Sequence, residues 1–180
     1  MKRVFTTIAW LVAAQALMLG IWYAVERGRA PETRPAVTTG QTAPMNRPTP
    51  DLELRRPDGT VFRLSEAHGR PLVLHFWATW CPPCREELPA LLAYAAEGDM
   101  AVLAVSLDPD FGPVRRFLGS DLPPPVVLVD GGVVDDALGV RDLPVTFIAD
   151  RRGRLRLRLD GPRDWTSAAT RDAVMEGVRP

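Results

Sequence analysis

The chain has 180 residues, with 22 basic and 22 acidic side chains and a formal net charge of zero. That balance excludes a strongly basic nucleic-acid surface, and the length allows one domain with appendages. The basic residues are nearly all arginine, Lys2 being the lone lysine, which is a compositional bias rather than a functional signal.

The stretch Val4 to Val25, VFTTIAWLVAAQALMLGIWYAV, carries no charge. Its length of about 22 residues suffices for a bilayer core of roughly 30 Å at about 1.5 Å per residue. Ala14-Gln15-Ala16 has the small-residue pattern of a cleavage site, but apolar residues continue well past it. An uncleaved membrane anchor over 1–25 is therefore expected ahead of a cleaved signal peptide. No cysteine stands near its end to carry a lipid. Arg27, Arg29 and Arg34 follow it and weaken the positive-inside bias, although large domains are translocated largely regardless of such charges. Residues 26–50 are rich in Pro, Thr, Ala and Arg and almost lack large apolar residues, so they read as a stiff, extended tether. Residues 51–180 then form the folded domain, large enough for a core without disulfide staples.

In that domain, a Pro-Asp-Gly turn (Pro57 to Gly59) between alternating runs predicts a hairpin over 51–64. Residues 71–78, PLVLHFWA, read as a buried central strand. A helix is expected from Pro82 to about Glu97, with Leu88, Leu91, Leu92 and Ala95 at helical spacing. A strand over 101–107, a helix over 112–120, a strand over 125–130 and a helix over 133–140 closing at Gly139 follow. Strands over 145–150 and 154–160 form an antiparallel pair; the second alternates Arg and Leu, so one face should be wet and the other buried. A last helix covers 165–178. Together these imply a mixed α/β sheet with helices on both faces.

The chain's two cysteines, Cys81 and Cys84, lie in HFWATWCPPCREELP, residues 75–89. Two cysteines make neither a disulfide framework nor a four-ligand zinc site. His68, in a polar loop, and His75, within the central strand, read as ordinary surface and core histidines. Between strand and helix, a C-x-x-C pair puts its first thiol at the helix N-terminus, where unpaired N–H groups and the dipole favour a thiolate. Pro82 and Pro83 suit a first turn that needs no N–H. Cys81 is thus expected to be an exposed nucleophile and Cys84 the buried resolving thiol.

The segment FWATWCPPC resembles the active site of thioredoxin-fold proteins, and more closely the membrane-anchored TlpA/ResA/CcmG type of thiol–disulfide oxidoreductase. DLELRRPDGTVFRLSEAHGRPLVLHFWATW is similar to that group's N-terminal hairpin and lead-in strand. LGVRDLPVTFIADRRGRL is similar to its cis-proline segment. The resemblance implies a thioredoxin-like fold with an N-terminal hairpin and a central strand–helix insert (about 98–140), preceded by one transmembrane helix. It further implies a cis Pro144 facing the cysteines, a proton-relaying Glu87 beside them, and a substrate surface of Trp80, Pro82, Pro83 and Val145. Trp77 reads as core, Glu86 as a solvated helix charge, and Pro89 as a kink within the helix. His75 departs from the group, which often has Asn there where thioredoxin has Asp.

The resulting expectation is an extracytoplasmic reductase of selected protein disulfides, held by a single span in the cytoplasmic membrane. It would be supplied with electrons by a membrane donor of the DsbD or CcdA type, with no cofactor and no resident metal. The family's substrates, apocytochrome c and the copper-site proteins of oxidase assembly, are equally compatible. A DsbA-like disulfide-forming oxidase and a Cu(I) metallochaperone are the alternatives; the first carries a large helical insert, and the second needs a histidine after His75, where none occurs. The peroxiredoxin Pro-x-x-x-Thr-x-x-Cys pattern is not met, because residues 74–81 lack the proline.

Overall fold

The computed structural model describes residues 15–16, 18–20, 40–98 and 100–178. Met1–Ala36 and Val37–Pro180 are separate compact units. In the first, residues 15–16 and 18–20 are helical; most of the expected anchor lies outside the described residues. Among the described residues, no helix is long and apolar enough to cross a membrane.

The second unit is built on one eight-stranded mixed sheet. Its strands are β1 (Thr42–Pro48), β2 (Glu53–Arg55), β3 (Val61–Arg63), β4 (Leu72–Trp77), β5 (Ala101–Ser106), β6 (Val126–Leu128), β7 (Val145–Ala149) and β8 (Arg154–Asp160). Their order is β1-β8-β7-β4-β5-β6-β2-β3. The central strand β4 runs parallel to β5 and antiparallel to β7. The helices are α1 (Pro82–Ala96), α2 (Phe111–Leu118), α3 (Gly131–Leu138) and α4 (Ala168–Gly177).

Every residue of β4 is buried, as expected of a strand covered on both faces. One face of the sheet packs Val73 and Trp77 against Leu88 and Leu91 of α1, Val114 of α2 and Val174 of α4. The opposite face packs Leu72, Leu74 and Phe76 against Leu54 and Phe62 of the hairpin and Val134 and Leu138 of α3. Each fully buried Leu or Phe contributes about 1.5–3 kcal/mol of transfer free energy. That is what fixes α1, and therefore the cysteines at its start, against β4.

Three local features differ from the sequence reading. Thr42–Pro48, within the stretch read as tether, pairs with β8 as an edge strand. It is nearly all exposed, and an edge position tolerates Pro44 and Pro48, so hydrophobicity gives no sign of it. In β8, Ile148 pairs with Leu157 but Ala149 pairs with Leu155, so a bulge falls at Arg156. A bulge reverses the alternation: Leu155 joins one core and Leu157 borders the other. Finally, α4 starts at Ala168, because Ser167 caps it by accepting from Thr170 N and Trp165 is turned into the core. The turn before β8 is a site where only glycine fits: Gly153 has φ +70°, and an added Cβ would lie 2.4 Å from the His68 ring.

Candidate functional site: the dithiol and a buried carboxyl

The chain leaves β4 at Trp77 and reaches the helix through 78–81. Cys81 is the N-cap of α1, with Pro82 and Pro83 in the first turn. Its Sγ accepts from Cys84 N at 3.3 Å and is bonded to Cys84 Sγ at 2.04 Å, the Cα atoms being 5.3 Å apart. Cys81 is only 4% exposed and Cys84 fully buried, so the exposed nucleophile expected at Cys81 is a correction: in the disulfide, its sulfur is drawn onto the helix terminus. What projects beside it is Trp80, 66% exposed. Pro82 is exposed and Pro83 half-buried.

The turn before Cys81 is held by a buried carboxylate that the sequence did not single out. Asp108 accepts from Thr79 N at 2.9 Å, from Thr79 Oγ1 at 2.6 Å and from Ser106 Oγ at 2.7 Å. The signal was present only as an Asp just after a buried strand, a position any loop acid could occupy.

The Leu143–Pro144 peptide bond is cis, as the resemblance implies. Val145 pairs with Phe76, so Pro144 precedes it at the end of the central strands where β4 finishes and the cysteine segment begins. Val145 itself does not reach a substrate surface through its side chain. It is buried in the second core, in a strand flanked by β4 and β8.

Glu87 is not a solvated helix charge. It is 6% exposed and lies one turn after Cys84, a spacing that puts both side chains on one face of α1. Its Oε2 accepts from Arg163 N at 2.6 Å. Its Oε1 lies 3.3 Å from His75 Nε2, without the alignment of a good hydrogen bond. His75 is fully buried; its Nδ1 is 2.9 Å from Thr146 Oγ1, and its ring stands edge-on to Trp165 at 6.1 Å. By contrast Glu86 is exposed. Pro89 sits exposed within α1, which runs through it. Arg163 and Trp165 went unnoticed in the sequence because they come from a loop about 76 residues away in the chain, brought here by packing alone.

Burial pushes the Glu87 carboxyl from 4.5 up to about 7, while the Arg163 N–H, the nearby Trp165 indole and the Arg163 charge act the other way. The indole N–H has no aligned acceptor, so the Arg163 N–H is the contact that holds the carboxylate. Burial also pushes His75 from 6.5 down to about 3.

These shifts have opposite signs for stability. Between pH 3 and 6.5 the unfolded chain binds a proton at His75 that the folded chain refuses, so stability rises with pH. Between pH 4.5 and 7 the folded chain keeps a proton on Glu87 that the unfolded chain releases, so stability falls with pH. The slopes cancel where the windows overlap. Urea midpoints are expected to be level from pH 4.5 to 6.5 and to drop below pH 4.5. A continuous climb across the overlap would contradict the pairing.

Residues 45–158 match the AhpC/TSA family. The chain is 36% identical over 110 residues to the thioredoxin-like protein YneN of Bacillus subtilis, covering 58% of this chain and 64% of that one. It is 33% identical over 131 residues to the thiol-disulfide oxidoreductase ResA of Geobacillus thermodenitrificans, covering 70% and 71%. Among solved structures, a protein of Chlorobium tepidum described as a thiol:disulfide interchange protein DsbE superposes with a TM-score of 0.63 at 29% identity, over 74% of this chain and 96% of that one. Fold and sequence kinship agree with the dithiol at the helix terminus: the chain belongs to the AhpC/TSA family and is a thioredoxin-like thiol–disulfide oxidoreductase of the ResA and DsbE type.

Proposed function

We propose that the protein reduces selected protein disulfides outside the cytoplasm, tethered to the membrane by residues 1–25. The observation that carries the chemistry is Cys81 at the N-cap of α1, where the Cys84 N–H already points at its sulfur. In the reduced protein, that N–H and the helix terminus stabilise a Cys81 thiolate. The thiolate attacks one sulfur of a substrate disulfide, and the other sulfur leaves as a thiolate. Cys84 then gives up its proton and attacks Cys81 Sγ, which closes the protein disulfide and releases the second substrate sulfur. Two electrons pass from the protein to the substrate. Trp80, Pro82 and Pro83 form the surface on which the substrate lies, beside Pro144.

The reductive direction rests on the resemblance of FWATWCPPC and its flanking segments to the TlpA/ResA/CcmG group; the ResA relatives are named only as thiol-disulfide oxidoreductases. A reductase in an oxidising compartment needs a membrane donor of the DsbD or CcdA class. The disulfides of apocytochrome c or of copper-site proteins of oxidase assembly are the fitting substrates. The direction is tested by equilibrating the protein with glutathione buffers. A potential nearer the thioredoxin value of about −270 mV is expected; one near the about −120 mV of DsbA would reverse the assignment to a disulfide-forming oxidase.

A further inference from the structure

Four buried side-chain atoms without an aligned hydrogen-bond partner fall in the Glu87 cluster: His75 Nε2, Glu87 Oε1, Arg163 Nε and Trp165 Nε1. A buried polar atom left unpaired is destabilising, and grouping four of them beside a redox dithiol asks for a reason. His75 supplies one. Its ring stands between a carboxyl on α1, 3.3 Å from Nε2, and a hydroxyl on β7, 2.9 Å from Nδ1. The hydroxyl both donates and accepts, and a neutral imidazole carries its single N–H on either nitrogen.

We propose that His75 is a positioning residue whose tautomer switches with the proton on Glu87, so that the carboxyl can take and return the Cys84 proton with only a small turn that brings Oε1, 3.3 Å away, into line with Nε2. With Glu87 ionised, Oε1 turns to accept from Nε2–H and the Thr146 hydroxyl donates to Nδ1. With Glu87 protonated, Oε1–H points at Nε2, and Nδ1–H donates to Thr146 Oγ1. Both charge states thereby have a partner on each side of the ring.

The inference rests on the reductase chemistry above, and it gives the Cys84 proton a place to go. When Cys84 attacks Cys81 Sγ, its S–H bond breaks, the electron pair stays on sulfur, and the proton passes to the Glu87 carboxylate. When a donor dithiol later reopens the disulfide with two electrons, Cys84 leaves as a thiolate and takes the proton back. Glu87 and Cys84 reach this region from α1. Thr146 reaches it from β7, and Arg163 from the loop before α4. Asp160 at the end of β8 acts on Arg163. The β5 partner of His75 is Ala104, which cannot titrate. Among the described residues, Glu87 is thus the one acid placed against the ring, so the switch follows a single proton.

The test is a pH titration by nuclear magnetic resonance of the oxidised, isotope-labelled protein. The His75 ring nitrogens should exchange their protonated and bare signatures at the pH where the Glu87 carboxyl carbon titrates. His75→Leu removes the partner of the ionised carboxylate and should move the Glu87 midpoint up by about one pH unit. Thr146→Val should move it down, because a ring that loses its Nδ1 partner keeps its proton on Nε2, where Glu87 accepts it. His75→Asn, whose amide both donates and accepts, should restore most of the His75→Leu defect in the Cys84 resolution step. One tautomer throughout the titration overturns the proposal, as do shifts of the same sign in both variants. If His75→Leu does not fold, the near-isosteric Thr146→Val decides alone: a downward shift supports the switch, and no shift or an upward one refutes it. Reduction of a protein disulfide by the wild type is scored separately, so a failed switch leaves the reductase reading standing and an inactive wild type refutes that reading alone.

Discussion

Cys84→Ser should accumulate a covalent complex between Cys81 and its protein substrates. The argument starts from depth. Cys81 caps α1 at the rim beside exposed Trp80, whereas Cys84 is fully buried one turn inside. Only Cys81 is placed to be attacked from outside, and only Cys84 is placed to resolve the product. Serine in place of Cys84 keeps the shape and removes the second nucleophile, so the mixed disulfide has no intramolecular exit. Cells expressing the variant should show thiol-sensitive high-mass species by non-reducing electrophoresis, and mass spectrometry would name the partners, apocytochrome c or copper-site proteins among them. Turnover should fall to background in both Cys84→Ser and Cys81→Ser, but only the former should trap. Trapping through Cys84 in a Cys81→Ser variant would reverse the roles assigned here.

The second large effect is expected at Asp108. It is 3% exposed and receives three hydrogen bonds, two from Thr79 and one from Ser106. Hydrogen bonds to a charged acceptor are worth about 1.5–3 kcal/mol each, with the larger cost borne by donors left buried and unpaired. The contributions do not add fully, because the donors share one carboxylate. Asp108→Ala should therefore lose about 3 kcal/mol in urea unfolding. It should also free the 78–80 turn, so that the reduced protein's Cys81 alkylates with a changed rate while Cys84 stays protected. Asp108→Asn keeps the volume and one acceptor and should lose less. A loss under about 1 kcal/mol for the alanine variant would mean that water replaces the carboxylate, and that the backbone bonds from Leu107 N–H to the Trp77 carbonyl and from Cys81 N–H to the Ala78 carbonyl suffice to hold the turn.

Much of the fold was readable in chain order. The run at 72–77, apolar except for His75, the helix opened by Pro82 and Pro83, and the glycines Gly59 and Gly139 are local signals, and each one fell where its local physics put it. The dithiol was readable for the same reason, since both cysteines and their helix terminus lie within four consecutive residues. The edge strand β1 was not, because an exposed strand needs no apolar pattern. The bulge in β8 was not, because the Arg–Leu alternation continues through it and only the pairing with β7 shows that Leu155 and Leu157 point to opposite cores.

The sequence by itself determined what kind of chemistry the chain carries: one redox pair, at one helix start, in one α/β domain. The tertiary structure decided which ionisable groups are buried near that pair. The resemblance implied an acid at Glu87 beside the cysteines, and His75 read as a core histidine; neither reading connected the two. Folding brings them to 3.3 Å from each other in a region closed to water, with a threonine and an arginine from two further segments on either side. Desolvation acts on groups according to where packing leaves them, not according to their neighbours in the chain. That is why the acid beside the dithiol could be named from the family resemblance, while its burial, its partner and its altered affinity for a proton came only from the fold.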